Sequence, residues 1–94
     1  MPRGYSLEQN YPNPFNPATN IRFGIPKAGQ VKLSVYDIAG RELSVLVNKE
    51  LSAGSYKTEF NGEQMPSGTY FYKLEADGFT EVKKMILIKS EKIK

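Results

Sequence analysis

The stretch Tyr11-Pro12-Asn13-Pro14-Phe15-Asn16-Pro17 carries three prolines and two asparagines around two aromatic residues. Each proline fixes its own φ angle at about −65°, removes a backbone donor and disfavours helical geometry in the residue before it. The segment must therefore be extended or turning, and its aromatics offer apolar area that can dock against a sheet at low entropic cost. We interpret residues 11–17, called the proline latch below, as a rigid segment laid across one opening of a β domain. A Pro-rich linker is the alternative, but a linker does not usually carry two large aromatics and lead straight into an alternating strand.

The rest of the chain alternates apolar and polar residues in short stretches that turn signals separate. This period of two is typical of strands with one buried face. Residues 6–10 form either a short edge strand or an ordered approach to the latch, and Asp77-Gly78 is a strong signal for a two-residue hairpin. Which face of the last strand is buried stays open, because a bulge could switch it. The sequence predicts strands within residues 19–25, 31–36, 43–48, 56–60, 70–76 and 79–89.

The clearest local prediction is an antiparallel hairpin over residues 31–48. Its two strands are joined by the turn Asp37-Ile38-Ala39-Gly40, in which the glycine can take a positive φ angle. In the second strand, Leu43, Val45 and Val47 are predicted to share one face. A helix over residues 41–51 is the competing interpretation, and the valines and the alternation disfavour it.

Length and composition point to a small module without the usual catalytic groups. The chain has 94 residues, no cysteine, no histidine and no tryptophan, and a formal net charge of +3. The commonest zinc ligands, the cysteine nucleophile and the usual general base at neutral pH are therefore missing. No phosphate-binding glycine loop, serine nucleophile elbow or carboxylate cluster suited to calcium is recognisable either. We predict a protein that is not an enzyme and uses no cofactor or metal.

Short strands with turn signals roughly every eight to twelve residues and no convincing helix predict an all-β fold. The fold class that fits is an antiparallel Ig-like β-sandwich of six to seven short strands. We assign residues 5–89 to this domain, residues 1–4 to the start of an expressed fragment and residues 90–94 to a flexible tail. The run Tyr70-Phe71-Tyr72 could stack sugars or bases, but alternating aromatics more often lie in a core, which is the interpretation we favour.

Three motifs go beyond a generic sandwich in their order and spacing. They are the latch followed by Thr19-x-Ile21-x-Phe23; Val31-x-Leu33-x-Val35-Tyr36-Asp37-x-x-Gly40; and Pro66-Ser67-Gly68-x-Tyr70-Phe71-Tyr72 with the closing Lys83-Lys84-Met85. Together, over about residues 7–89, they resemble the type A C-terminal sorting domain of the type IX secretion system, found in exported proteins of Bacteroidetes and related bacteria. Members of that family tend to stop at or just after the final lysine, whereas residues 90–94 continue here.

The resemblance implies an Ig-like sandwich that acts as an address label for an N-terminal cargo domain. In that family the domain crosses the periplasm and is recognised by the outer-membrane translocon. In many cases a sortase-like surface protease then removes it and links the cargo to an anionic lipopolysaccharide. The resemblance thus implies a secreted or cell-surface location, the translocon and the protease as partners, and no nucleic acid. The positions that match the family's motifs are Pro12, Asn13, Pro14, Asp37, Gly40, Gly68, Tyr70, Lys83, Lys84 and Lys89.

Within this reading, we expect Lys83, Lys84 and Lys89 to face the receptor, while the glycines and Tyr70 build the shape. Exposed edge strands allow a weak homodimer. Two other functions stay open. One is a structural or adhesive module like the Ig-like region of flagellar hook-capping proteins, and the other is a carbohydrate-binding accessory domain of a secreted hydrolase.

Overall fold

The computed structural model describes residues 3–89, which form two antiparallel sheets packed as a sandwich. Residues 1–2 of the predicted fragment start and the predicted tail at 90–94 lie outside the described residues. No helix within residues 3–89 is long and apolar enough to cross a membrane. The strands are β1 (Ser6–Leu7), β2 (Ala18–Ile25), β3 (Gly29–Tyr36), β4 (Glu42–Leu51), β5 (Gly54–Asn61), β6 (Gly68–Ala76) and β7 (Phe79–Leu87).

The smaller sheet has the order β1-β2-β5 and the larger one β4-β3-β6-β7. The predicted all-β sandwich is therefore confirmed, and β1 is a short edge strand, which was one of the two alternatives for residues 6–10. Each sheet has two edges, so the sandwich has two sides. We call the side formed by β1 and β7 the latch side, and the side formed by β4 and β5 the open side.

The core lies between the sheets and is built from alternate residues of the strands, as the period of two predicts. Because neighbouring residues of a strand point to opposite faces, each strand contributes its apolar set to the interior and its polar set to solvent. The buried hydrophobic residues are Leu7, Phe15, Ile21, Phe23, Ile25, Val31, Leu33, Val35, Phe60, Tyr70, Tyr72, Leu74, Ala76, Met85 and Leu87.

Strand β4 departs from the prediction made for its faces. It is a strand rather than a helix, but its register against β3 shifts twice, between the partners of Leu33 and Ser34 and again between the partners of Val35 and Tyr36. These β-bulges interrupt the alternation, so Val45 is exposed whereas Val47, paired with Leu33, packs against the core. The expectation that alternate residues of β4 share one face is wrong for this reason.

The last hairpin agrees with the sequence. Asp77 and Gly78 have φ angles of 42° and 84° and form the two-residue turn that joins Ala76 to Phe79. The pairing of β6 with β7 continues to Leu87 without a register shift. This places Met85 and Leu87 in the core, which decides the facing of β7 that the sequence left open.

Candidate recognition site at the distal end

The two ends of the sandwich differ in what they carry. The chain is first described at Arg3, and Tyr5 stacks on Phe79 with ring centroids 5.1 Å apart, close to the turn at Asp77. We call this the proximal end. The opposite, distal end holds the proline latch, the turn after β3, the loop of residues 62–67 and the end of β7.

The proline latch is held to the outer edge of β7 by backbone hydrogen bonds. The amide of Phe15 donates to the carbonyl of Ile86 at 2.9 Å, and the amide of Ile88 donates to the carbonyl of Phe15 at 3.0 Å. The side-chain oxygen of Asn13 accepts a further bond from the Ile86 amide. These contacts occupy an edge that would otherwise offer unpaired donors and acceptors, and the peptide bonds before all three prolines of the latch are cis.

One aromatic residue of the latch is buried and the other is exposed. Phe15 is 1% exposed and meets Phe60 edge-on at a centroid distance of 6.0 Å. Tyr11 is 80% exposed, so the expectation that both rings dock against the sheet is wrong for Tyr11. Gly62 leaves room beside the Phe15 ring. A Cβ atom at this position would lie 3.5 Å from the Phe15 side chain and only 2.9 Å from that of Leu87. The latch thus has an inner apolar face and an outer exposed one.

A buried polar network anchors the start of the latch, and sequence reasoning missed it. Asn10 is 2% exposed. Its backbone N–H donates to the Tyr72 hydroxyl at 2.8 Å, and its side-chain Nδ2 donates to the Thr19 hydroxyl at 3.0 Å. The Tyr72 hydroxyl donates in turn to the Glu8 carbonyl, and the Thr19 hydroxyl donates to the Pro12 carbonyl. Burial raises the pKa of Tyr72 to about 12. Asn10 and Tyr72 lie 62 residues apart in the chain, so no local sequence pattern predicts their hydrogen bond.

The turn after β3 is closed by Asp37 alone. Its Oδ1 accepts hydrogen bonds from the amides of Ala39 and Arg41, and its Oδ2 lies 2.8 Å from Arg41 Nε. The bond from the Arg41 amide and the nearby guanidinium lower the pKa of Asp37 below its ordinary value. Gly40 takes a φ angle of 88°, a region that side chains disfavour. Asp37 and Gly40 therefore shape this turn through contacts within it.

Tyr70 and Lys89 fasten the loop of residues 62–67. The buried Tyr70, two residues into β6 from the exposed Gly68 at its start, donates its hydroxyl to the Pro66 carbonyl at 2.6 Å. Lys89 Nζ donates to the carbonyls of Glu63 and Met65, both at 2.8 Å. The Lys89 amide also donates to the Ser67 hydroxyl. The ammonium group of Lys89 is therefore hydrogen-bonded to this loop and partly exposed, and its role in facing the receptor stays a prediction.

The other two lysines of the predicted site lie halfway along β7. Lys83 is on the core side of the strand, with its Nζ 3.2 Å from Glu81. Lys84 is exposed on the opposite side, and only its backbone carbonyl is used, as acceptor for Gln9 Nε2. Of the three lysines, Lys84 is the one that presents its charge to solvent without an ion pair within the described residues.

The predicted site residues thus gather in one region although they come from four stretches of the chain. Asp37, Met65, Pro66 and Tyr70 line one shallow pocket, and the latch and Lys89 lie at the same end. Lys83 and Lys84 lie next to this region along β7. The sandwich is elongated, with a longest extent of 52 Å, so this end is well separated from the proximal one.

The chemistry available at this end is that of a binding surface. Within residues 3–89 no three acidic side chains come together as a metal site would require. Tyr70 and Tyr72 are buried, which confirms the core interpretation of that aromatic run and leaves no exposed row of rings there. The exposed groups include Pro12, Pro14, the Tyr11 ring and the Lys84 ammonium, together with Ile38 and the Arg41 guanidinium in the turn after β3.

Comparison with curated proteins gives no significant match. Among solved structures, the crystal structure of dimeric latent PorU from Porphyromonas gingivalis matches 95% of this chain with a TM-score of 0.64 and 17% identity. The chain spans about 10% of that PorU chain, and the likeness supports the sandwich fold. Residues 9–89 match the family described as secretion system C-terminal sorting domain, so the protein belongs to that family, the C-terminal sorting signals of type IX secretion.

Proposed function

We propose that the type IX machinery recognises this protein through the distal end of the folded sandwich. As a C-terminal sorting signal, the protein serves export across the outer membrane to the cell surface or the medium. The observation that carries the proposal is the gathering of the latch, the Asp37 turn, the loop of residues 62–67 and Lys89 at one end, opposite Arg3. A cargo attached before Arg3 would leave this end free, since strands of eight to ten residues span about 30 Å.

The residues of this end divide into two groups. Asp37, Gly40, Tyr70 and Lys89 act as positioning residues, because they close a turn or fasten a loop, and Gly68 begins β6 at the same end. The second group presents side chains to solvent on a fixed backbone, which lowers the entropy cost of binding. It consists of Tyr11, Pro12, Asn13, Pro14 and Lys84, with Lys83 beside them.

This division makes recognition depend on folding. The contact group comes from the latch and from β7, which are more than 60 residues apart and are joined by the hydrogen bonds of Phe15 and Asn13. In an unfolded chain the latch and β7 would not be held next to each other. We infer that the translocon reads the folded domain after it has crossed the periplasm, with the cargo on its N-terminal side and a sortase-like protease acting before residue 5. The domain itself is the signal and does not catalyse that cleavage.

The direct experiment fuses the 94-residue chain behind a periplasm-exported fluorescent protein, in a bacterium with and without a working type IX translocon. We expect fluorescence at the surface or in the medium only when the translocon works. Periplasmic retention in both strains, with the domain shown to be folded, would contradict the sorting role. It would leave the structural module of the flagellar hook-cap kind as the better interpretation.

The contact group is tested by charge reversal in the same fusion. Lys84→Glu is expected to reduce export while leaving the unfolding midpoint unchanged, because the Lys84 side chain is exposed and forms no ion pair within residues 3–89. Adding Lys83→Glu should reduce export further, and it also replaces the Lys83–Glu81 pair by a repulsion, so its unfolding midpoint is measured separately. The matched control is Lys27→Glu, a lysine of the proximal end whose Nζ pairs with the exposed Asp77. Equal export by the Lys84 and Lys27 variants would remove Lys84 from the recognition surface.

A carbohydrate-binding role predicts a different result. That role needs exposed, coplanar rings, whereas Tyr70 and Tyr72 are buried and the exposed Tyr11 has no stacked ring partner among the ring contacts of residues 3–89. Titration of soluble polysaccharides against the isolated chain, followed by tyrosine fluorescence, is expected to give no saturable change. Saturable binding that Tyr11→Ala abolishes would favour the accessory-domain interpretation.

A further inference from the structure

The outer faces of the two sheets, which are turned away from the core, differ in their side chains. Outward residues of a β-sandwich are usually polar. The smaller sheet follows this rule, because the outward residues at the centre of β2 and β5 are Asn20, Arg22, Lys57 and Glu59. The larger sheet departs from it. There Tyr36 of β3, Phe71 of β6 and Lys84 of β7 stand side by side in one outward row, and the neighbouring row ends in Val82.

A depression of about 290 Å³ lies on this apolar part of the outer face. Tyr36 and Phe71 line it together with Ile38, which belongs to the turn after β3, and Val82 of β7. Ile38 is 77% exposed and Val82 is 52% exposed, so nothing in residues 3–89 covers them. Single exposed apolar residues are normal on a protein surface, whereas several of them around one concavity mark a binding site.

The carboxylates near the depression already have cationic partners. Glu42 lies 3.0 Å from Lys32, and Glu75 lies 3.9 Å from Lys73. Asp37 is held by the amides of its own turn and by the Arg41 guanidinium. This part of the outer face therefore has no free negative charge to offer a partner.

The unmatched charge beside the depression is the Lys84 ammonium. Lys84 stands opposite Phe71 in the register of β6 with β7, is exposed and forms no ion pair within residues 3–89. Its backbone carbonyl accepts a hydrogen bond from Gln9, so it also lies next to the segment that leads into the latch. An apolar depression with a free cation at its rim favours an apolar group that carries a carboxylate beside it.

The exposed apolar residues show that the occupant differs from this chain. Within residues 3–89 the large ones lie in the distal half of the sandwich or at its midpoint: Tyr11, Ile38, Leu43, Val45, Val82 and Ile88. The carboxylates next to them in the chain, Asp37, Glu42 and Glu81, are each paired with a cation. A second copy of the described chain therefore offers no exposed apolar residue beside a free carboxylate. A membrane surface is flat and would not fill a depression.

We propose that this depression receives one apolar side chain of a partner protein, with a carboxylate of that protein placed against the Lys84 ammonium. Tyr36 and Phe71 form the floor of the contact, and Ile38 and Val82 form its walls. The partner is the component of the type IX machinery that meets the distal end. This identification of the partner rests on the function proposed above, whereas the chemistry of the depression does not.

The chemistry is tested on the isotope-labelled 94-residue chain with two capped tetrapeptides. In both, serines flank a central pair, which is leucine followed by glutamate in one peptide and leucine followed by lysine in the other. We expect the acidic peptide to shift the amide resonances of Ile38, Phe71 and Val82 and to bind about tenfold more tightly than the basic one. Lys84→Gln should remove this preference.

Three results of these titrations would overturn the proposal: no resonance shift with either peptide, equal affinity for the two, or shifts confined to other parts of the chain. Sedimentation with phosphatidylglycerol vesicles tests the membrane alternative, and sedimentation of the chain alone tests a second copy. Vesicle binding or concentration-dependent dimerisation that Val82→Thr abolishes would overturn the proposal in favour of that occupant.

The identity of the partner is tested in the fluorescent fusion with a working translocon. Ile38→Thr with Val82→Thr makes the walls polar but keeps both side chains β-branched, so the fold should not change. We expect surface fluorescence to fall about tenfold, because apolar anchors in pockets dominate binding energy. The matched control is Val45→Thr, the same exchange at an exposed valine of β4 outside the depression, which should export normally.

The outcomes separate this inference from the sorting role. Normal export by the double variant, or an equal loss in the Val45 variant, would overturn the depression as the contact of the machinery and leave the sorting role intact. Periplasmic retention of the wild-type fusion would contradict the sorting role itself, and the peptide titrations would then decide the chemistry of the depression.

Discussion

The latch side and the open side of the sandwich differ in whether the chain covers their edge strands. Each has two edge strands with a gap between the sheets. On the latch side the chain supplies its own closing segment, with Phe15 buried and the side chains of Asn13, Gln9 and Asn10 satisfying backbone groups. On the open side β4 carries bulges and charged residues, and a groove beside it stays exposed. The fold therefore stabilises one side with its own chain and leaves the edge strands of the other side exposed.

The largest effect is expected from Phe15→Ala. The ring is fully buried between the sheets, so its removal should lower the free energy of unfolding by about 3–5 kcal/mol. That is a large part of the total of about 5–15 kcal/mol for a domain of this kind. Urea unfolding measures it, with Tyr11→Ala as the matched control from the same latch, expected near zero. Equal losses for the two variants would mean that the sides do not differ in the way described.

A smaller loss is expected from Tyr72→Phe, which removes a hydroxyl that donates to Glu8 and accepts from Asn10. Leaving the buried Asn10 amide without its acceptor should cost about 1–3 kcal/mol. The variant can be compared with Tyr11→Phe, whose hydroxyl is on an exposed ring. If both substitutions are neutral in urea unfolding at pH 8, the network does not hold the latch.

The same tyrosine gives a pH dependence. Its pKa is about 12 in the folded protein and about 10 when unfolded, so the folded state holds this proton more tightly. The stability linked to it is fully present below pH 10 and is lost as the pH rises from about 10 to about 12. We expect the wild-type protein to lose more stability than Tyr72→Phe between pH 9 and pH 11.5, measured by urea unfolding. Equal losses of unfolding free energy in the two proteins would contradict the assignment of this pH dependence to Tyr72.

Lys89→Met tests whether the Lys89 ammonium fastens the loop of residues 62–67. Losing the bonds from Nζ to Glu63 and Met65 should lower stability by about 1 kcal/mol, since both bonds are near solvent. The amide of Met65, which donates to the Gly62 carbonyl, should exchange faster. Lys84→Met serves as control and is expected to change neither quantity. Unchanged exchange in the Lys89 variant would return that ammonium to the receptor-facing group.

The smallest effect is expected on the open side and has the opposite sign. Lys57→Glu replaces the repulsion with Arg22 by an attraction and should raise stability by about 0.2–1 kcal/mol at low salt. The gain should shrink in 0.5 M salt, because exposed charges are screened. Lys27→Gln, which breaks an exposed ion pair, gives the reference for an ordinary surface lysine. A destabilised Lys57→Glu variant would show that the cation is needed by the fold itself.

Much of the fold could be predicted from local sequence. Alternation located the strands, Asp77-Gly78 located a hairpin, and proline geometry identified the latch as neither helix nor central strand. The bulges of β4 could not be predicted, because they depend on how β3 pairs with it rather than on the strand's own residues.

The motif positions could be named from the sequence, and their part in recognition stays a prediction. The structure places them at one end of the sandwich or beside it. The direction of the Lys89 ammonium and the exposure of Tyr11 depend on neighbours far away in the chain. A lysine near the end of a basic strand has the same local sequence whether it meets solvent or two carbonyls.

The sequence by itself determined the class of this protein: short alternating strands, stiff proline geometry, and no residue set for catalysis by histidine or cysteine. Those properties follow from backbone sterics and side-chain chemistry, which act within a few residues. Only the tertiary structure decided that Phe15 turns inward while Tyr11 turns outward, that Tyr72 holds the start of the latch, and that Arg22 faces Lys57. Those choices rest on pairings between residues far apart in the chain, whose energies exist only once the sheets have come together.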